Sequence, residues 1–319
     1  MKYVFLALAC TLFSVQFVFT KGFSRRASSA THVGLWNGCA VSLCMVLYLW
    51  PMNGFRFELT PAAGLAALCL ALCAVTMSVC NIPAMRLGNM AVVTTYMLVG
   101  GMVLPFGYGV LYLKEDCSPL KLIAIAVLLA AIIPSLMQGK GKSAQSEPRS
   151  RGKTILFHGL CLVLFTLNGM TSILTTVHSL HPDKVSSGGF TLLWSLCQFI
   201  LTLLILLGYA MYRRSKGEER ALRGTFFEVT RTSPATTRAL LTLLVFGFGF
   251  ALCNGVANIF SQESLSAGMP SSVQFPVISG SVIVLTALFG HWFFGEKIDR
   301  YGAVSLTLSV IGSALFMVA

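Results

Sequence analysis

Ten apolar runs, each close to twenty residues and each bounded by polar or charged positions, decide which solvent this chain can fold in. A helix rises about 1.5 Å per residue, so roughly 20 residues cross a hydrocarbon core of about 30 Å. The runs cover 3–20, 32–50, 61–84, 89–113, 119–138, 154–177, 188–212, 239–259, 269–294 and 301–318. Backbone in lipid must satisfy its own N–H and C=O groups, and a helix does so within each run. The predicted fold class is an all-α membrane protein of ten transmembrane helices, with little chain left over for a soluble domain.

Charge follows the same division. On these boundaries all eleven acidic residues, from Glu58 to Asp299, fall outside the runs, as do nearly all Lys and Arg. An ionised group at mid-bilayer costs a few kcal/mol or more, which accounts for the exclusion. The net charge of +12 is then loop charge. It alternates with spans rather than forming one aromatic-laced surface, so membrane orientation is the expected role and nucleic acid is not an expected partner. The first, third, fifth, seventh and ninth loops hold 18 of the 23 Lys and Arg, which predicts those loops in the cytoplasm and both termini outside.

Met1 to Thr20 has the outline of a secretory signal, with Lys2 ahead of an apolar stretch. No A-x-A site follows it, it carries Gln16 internally and it is followed by Lys21, Arg25 and Arg26, so it reads as a first span. Nine of the ten cysteines, all but Cys117, lie in apolar runs without a C-x-x-C pair, and neither disulfides nor zinc are expected.

The polar segment 139–153, G-K-G-K-S-A-Q-S-E-P-R-S-R-G-K, has linker character and divides the chain into units 1–138 and 154–319, each with five spans. Four matches recur between the units in the same order. Leu12-Phe13-Ser14-Val15-Gln16 resembles Leu164-Phe165-Thr166-Leu167-Asn168, and Leu35-Trp36 with Cys39 resembles Leu193-Trp194 with Cys197. Val79, Asn81 and Ile82 return as Val256, Asn258 and Ile259, and Gly109 with Glu115 returns as Gly290 with Glu296. Conserved order at offsets of 152 to 181 residues implies duplication. An odd span count inserts the second unit upside down, giving two inverted five-helix repeats, the architecture of alternating access with a site near the midplane.

These residues resemble the drug/metabolite transporter superfamily in its ten-span, EamA-like form, along nearly the whole chain. Gln16-Phe17 followed by Lys21 is similar to that family's first span. Gly295-Glu296 ahead of an apolar tenth span is similar to its repeat ending, and Lys114-Glu115 is a weaker version after span four. Phe13-Ser14 stands where the family carries Trp-Gly, and the Glu-Pro pair of spans four and nine is absent. The resemblance implies a carrier of small metabolites such as amino acids, sugars, nucleotide derivatives or toxic compounds, and cytoplasmic termini, opposite to the charge count.

Without charges in the spans, a solute path must be lined by neutral polar and aromatic side chains. Gln16, Asn81, Thr95, Tyr96, Asn168, Trp194, Asn254, Asn258 and Gln274 are the predicted substrate-binding residues, with Thr94, Gln198 and Trp36 beside them. Asn254 and Asn258 stand one helical turn apart on one face. Each amide could instead bond across helices, a contact worth about 0.6–2 kcal/mol in membranes. Pro105, Pro270 and Pro276 read as helix kinks, and Gly100-Gly101, Gly107, Gly109 and Gly280 as close-packing positions.

A carboxylate-coupled antiport is disfavoured by the absence of acids in the spans, and His291 reads as interfacial. His178, His181 and Asp183 cluster in one loop but lack a fourth ligand, so no enzyme, metal or cofactor is expected. The expected partners are the lipid bilayer of a plasma (cytoplasmic) membrane and a small-molecule substrate, and a homodimer is compatible with the chain. The alternative is a non-transporting accessory or structural subunit.

Overall fold

The computed structural model describes residues 1–26, 32–87, 90–131, 133–134, 151–216, 236–295 and 300–318. Among them lie ten helices and no strand: α1 (Lys2–Arg26), α2 (His32–Met52), α3 (Pro61–Leu87), α4 (Met90–Leu111), α5 (Pro119–Ala130), α6 (Arg151–Leu180), α7 (Ser187–Ser215), α8 (Thr236–Ser266), α9 (Ser271–Phe294) and α10 (Arg300–Val318). Seven are long and apolar enough to cross a membrane, while α4, α5 and α10 contribute shorter apolar stretches, Tyr96–Leu111, Pro119–Ala130 and Leu306–Phe316. Leu65, Leu162, Leu241 and Trp292 are each at least 60% exposed, a distribution water would penalise and lipid does not. The chain is an integral membrane protein with multiple spans.

Helix ends carry their own signals. Ser118 accepts from Lys121 N ahead of Pro119 to start α5, and Ser186 accepts from Gly189 N to start α7. Gly295, at φ 66°, closes α9 in the left-handed conformation that glycine adopts without strain. Several boundaries differ from the sequence reading. Helix α6 already begins at Arg151, inside the expected linker 139–153, whose remaining residues lie outside the described set. Helix α8 runs to Ser266 rather than 259, which puts Glu263 inside a candidate span and corrects the expectation that every acid lies outside them. Pro270 is the N-cap of α9 rather than a kink within it. Glu296, the repeat counterpart of Glu115, lies outside the described residues.

Packing runs mainly between the two halves. Helix α1 lies against α8 and α9, α2 against α7 and α8, α3 against α6 and α7, α4 against α6 and α9, and α5 against α10. Renumbering each helix by five carries α1–α8 onto α6–α3, α1–α9 onto α6–α4 and α2–α8 onto α7–α3. It returns α2–α7, α4–α9 and α5–α10 to themselves. The contact of α9 with α10 has no comparable α4–α5 counterpart among the described residues. One core joins Met45, Leu49, Leu70, Phe190 and Trp194 between α2, α3 and α7. A second joins Leu6, Cys10, Met102, Leu128, Val277 and Phe316 between α1, α4, α5, α9 and α10.

The α4–α6 crossing depends on glycine. A Cβ on Gly100 would sit 1.9 Å from Phe165 O, and one on Gly169 would sit 2.6 Å from Gly100 O. Such approach gives dispersion contact where helices have no hydrophobic drive to associate.

At one end of the bundle the connections meet across the halves. Thr60 Oγ1 donates to Asp183 O at 3.0 Å, and Ser264 Oγ to Lys2 O at 3.1 Å. Two carboxylates cap helices there. Glu58 Oε2 accepts from Ser186 N at 2.8 Å, and Glu115 accepts from Ser271 N at 2.9 Å and Ser272 N at 2.8 Å. A helix start exposes N–H groups and partial positive charge, which a carboxylate satisfies. At the opposite end Lys21 lies over Phe294 and Arg26 over Phe246, each 4.8 Å from the ring centre.

Candidate functional site

Polar side chains concentrate on one stripe of α8. Asn254, Asn258 and Gln262 recur every fourth residue, with Ser261 beside them, so they share one face. From Asn254 to Ser266 the stripe climbs about 18 Å toward the capped end, at about 1.5 Å per residue.

Three rungs reach three other helices, and Asn258 bonds back onto α8 itself. Asn254 Nδ2 donates to Gln16 Oε1 of α1 at 2.7 Å, and Asn258 Nδ2 donates to Asn254 O at 2.8 Å and Oδ1 at 3.2 Å. Gln274 Nε2 of α9 donates to Ser261 O at 2.9 Å and Oγ at 2.8 Å, and Gln262 Nε2 donates to Thr191 Oγ1 of α7 at 3.1 Å. Gln262 and Gln274 are almost fully buried, yet neither Oε1 has a hydrogen-bond partner among the described residues. A buried acceptor left unpaired costs about 1–3 kcal/mol, so these oxygens mark places where the protein has withheld a partner.

The other predicted residues lie elsewhere. Asn168 Nδ2 of α6 donates to Met97 O of α4 at 2.7 Å, and its side chain covers Gly101, with Ser279 of α9 close by. Asn81 is half-buried on α3 and its Oδ1 has no partner among the described residues. Tyr96 and His158 share a 3.3 Å hydrogen bond between α4 and α6. Trp194 is packed in the α2–α3–α7 core. Nothing is described of the Thr95 side chain. Gln16, Asn254, Asn258 and Gln274 are thus brought to one stripe, whereas Asn81, Tyr96, Asn168 and Trp194 are not.

Two cavities bear on the site, of which only the second is lined by residues of α8. An apolar one of about 430 Å³ lies between α1, α9 and α10, lined by Leu6, Cys10, Val277 and Val310 among others. A polar one of about 150 Å³ lies at the upper end of the stripe, lined by His178, Ser179, Lys184, Gln262 and Glu263 among others. Neither is lined by Gln16, Asn81, Asn168 or Asn258; Gln16 and Asn168 are held in contacts between helices, and Asn258 bonds within α8.

The predicted binding set omits Gln262, and His178 enters the sequence analysis only as part of a loop cluster. The four-residue spacing from Asn258 pointed to Gln262, but the span was ended at 259. His178 belongs to α6, stacks on Phe190 at 3.6 Å between ring centres and accepts from Val185 N at 3.3 Å, apart from the exposed loop it was assigned to. His181 Nδ1 accepts from Asp183 N at 3.1 Å within that loop. Among the described residues no group of three or more His, Cys, Asp or Glu could hold a metal ion.

Neither family models nor curated protein sequences match this chain. A solved protein crystal structure superposes on it with a TM-score of 0.70, covering 99% of this chain and 96% of that chain at 12% sequence identity. At that identity the likeness establishes a shared fold and carries no function with it.

Proposed function

We propose that the chain is a secondary transporter of a small polar metabolite, moving it by alternating access between two inverted five-span repeats in the plasma membrane. The helix-exchange pattern of the packing supports the repeats, because a duplicated, inverted unit has to pair its helices in this reciprocal way. The observation that carries the function is the uncharged chain Gln16–Asn254–Asn258, which places exchangeable amide hydrogen bonds inside a membrane where an inert wall would be apolar. A solute entering between α1 and α8 replaces these bonds with its own, so the cost of parting the helices is offset only when it is present. The capped end of the bundle supports a gate on that side, since Glu58 and Glu115 of the first half hold α7 and α9 of the second. The drug/metabolite transporter resemblance accords with this architecture and leaves the substrate open among polar metabolites.

One observation favours the second reading, a non-transporting accessory subunit: Gln16, Asn254 and Asn258 bond one another and line neither cavity. Transport in proteoliposomes separates the two. Vesicles holding the purified protein and preloaded with a panel of polar metabolites are expected to exchange at least one of them faster than empty vesicles. Asn254→Leu is expected to slow that exchange at least tenfold while the protein still purifies as a folded species. Exchange equal to empty vesicles across the panel, or exchange indifferent to Asn254, supports the accessory reading instead.

A further inference from the structure

The larger, apolar cavity is a groove on the outside of the bundle. Helix α9 packs on both α1 and α10 and forms its floor, with Val277, Ser281 and Leu285 about one turn apart on a single face. Ala7 of α1 lines one wall, and Val310 and Ala314 of α10 line the other. These three wall residues are exposed, and in a bilayer that exposure is to lipid tails rather than water. The groove asks for no polar occupant. No charged side chain lines it, the Cys10 thiol and Ser281 hydroxyl hydrogen-bond each other, and Ser313 Oγ is buried against Gly280.

Length and volume narrow what fits. At about 1.5 Å per residue, the groove follows α1 from Tyr3 to Cys10 for about 10 Å and α9 from Val277 to Leu285 for about 12 Å. One leaflet supplies about 15 Å of hydrocarbon, half of a core of roughly 30 Å. The volume of about 430 Å³ holds on the order of a dozen methylene groups, taking each as close to the roughly 30 Å³ of a water molecule. That is the depth and bulk of one acyl chain.

The mouth of the groove carries a cation. Tyr3 lines it at the start of α1 and is exposed there, at the level where aromatic and basic residues meet lipid headgroups. Lys2 Nζ lies over the Tyr3 ring, 5.4 Å from its centre. Its contact with Gly268 O, at 3.5 Å, is longer than a full hydrogen bond, and an ammonium has three N–H groups, so donors remain for a phosphate oxygen.

We infer that this groove binds a membrane phospholipid, one acyl chain lying along α9 and the phosphate held by Lys2. The site requires that the protein reside in a bilayer and not that it transport anything, so it stands or falls apart from the transporter reading.

The test uses full-length protein, delipidated in detergent and titrated with phosphatidylglycerol, with bound lipid counted by native mass spectrometry. Diacylglycerol supplies the chains without the phosphate, and glycerol 3-phosphate the phosphate without the chains. One phosphatidylglycerol per protein is expected to persist, with diacylglycerol at least threefold weaker and glycerol 3-phosphate unbound. Ala314→Phe fills the groove and is expected to weaken phosphatidylglycerol at least tenfold. Ala303→Phe, on the same helix but outside the groove, is expected to leave it unchanged, which separates loss of the site from loss of folding. Lys2→Gln is expected to bring phosphatidylglycerol down to the level of diacylglycerol and to leave diacylglycerol itself unaffected. Retention indifferent to Ala314→Phe, equal losses from Ala303→Phe and Ala314→Phe, or diacylglycerol binding as tightly as phosphatidylglycerol overturns the inference.

Discussion

Glu115 is bound to the amino end of a helix from the other half of the chain, its Oε1 accepting from Ser271 N at 2.9 Å and Oγ at 3.0 Å while its Oε2 accepts from Ser272 N at 2.8 Å. Replacing it by Ala strips two helix N–H groups of their acceptor. The expected cost is about 1–3 kcal/mol, in the range for orphaned buried donors. In detergent this appears as a melting temperature lower by several degrees, and Cys117, two residues further on, gains reactivity toward maleimide as α9 comes loose. Unchanged melting and unchanged labelling would mean that water takes over the cap.

The Gln16–Asn254 bond is testable by a double-mutant cycle. Gln16→Leu and Asn254→Leu are each expected to change stability modestly, with a coupling of about 0.6–1.7 kcal/mol, the range measured for hydrogen bonds within membranes. Transport should fall at least tenfold in both single variants and no further in the double. Strictly additive losses would show that the two amides act separately.

Close approach between α4 and α6 predicts a sharp contrast among glycines. Gly100→Ala drives a methyl group to 1.9 Å from Phe165 O, while a Cβ on Gly159 of the same α6 helix meets nothing within 4 Å. Overpacking of this kind costs about 1–3 kcal/mol or more. Gly100→Ala is expected to lower folded yield and melting temperature, with Gly159→Ala indistinguishable from the parent. Equal behaviour of the two would contradict the α4–α6 crossing.

Orientation follows from where basic charge lies. The amino end of α1 sits with the α2–α3, α4–α5, α6–α7 and α8–α9 connections, and these hold Lys2, Arg56, Lys114, Lys121 and Lys184 against 18 Lys and Arg elsewhere. The positive-inside rule then predicts a C-terminal reporter outside the cell: phosphatase fused after Ala319 active, green fluorescent protein dark. The opposite pattern would agree with the termini implied by the family resemblance.

Ten helices were legible because lipid imposes a length and a composition that no tertiary contact has to supply. Their ends were less so. Helix α8 continues past 259 because Ser261, Gln262 and Ser264 find partners on α9, α7 and α1, and those partners are distant in sequence. The candidate residues divide for the same reason. Asn254 and Asn258 announce a shared face by their spacing, and Gln16 joins them only through the fold. Asn168 is the repeat partner of Gln16, yet it turns to a main-chain oxygen, Met97 O, which leaves no trace in side-chain patterns. The 177-residue offset that joins Asn81 to Asn258 sets Met77 opposite Asn254, so α3 lacks the second amide that would have drawn Asn168 toward it.

Because α1 packs on α8 and α9 rather than on its own half, its neighbours are synthesised more than 200 residues after it. During translation Gln16 therefore resides in the bilayer or beside the insertion machinery with no amide to bond, until nearly the entire polypeptide has been threaded. A product halted after the fifth helix should consequently be cleared by proteolysis, and co-expressing the two segments from separate messages should rescue both by mutual assembly.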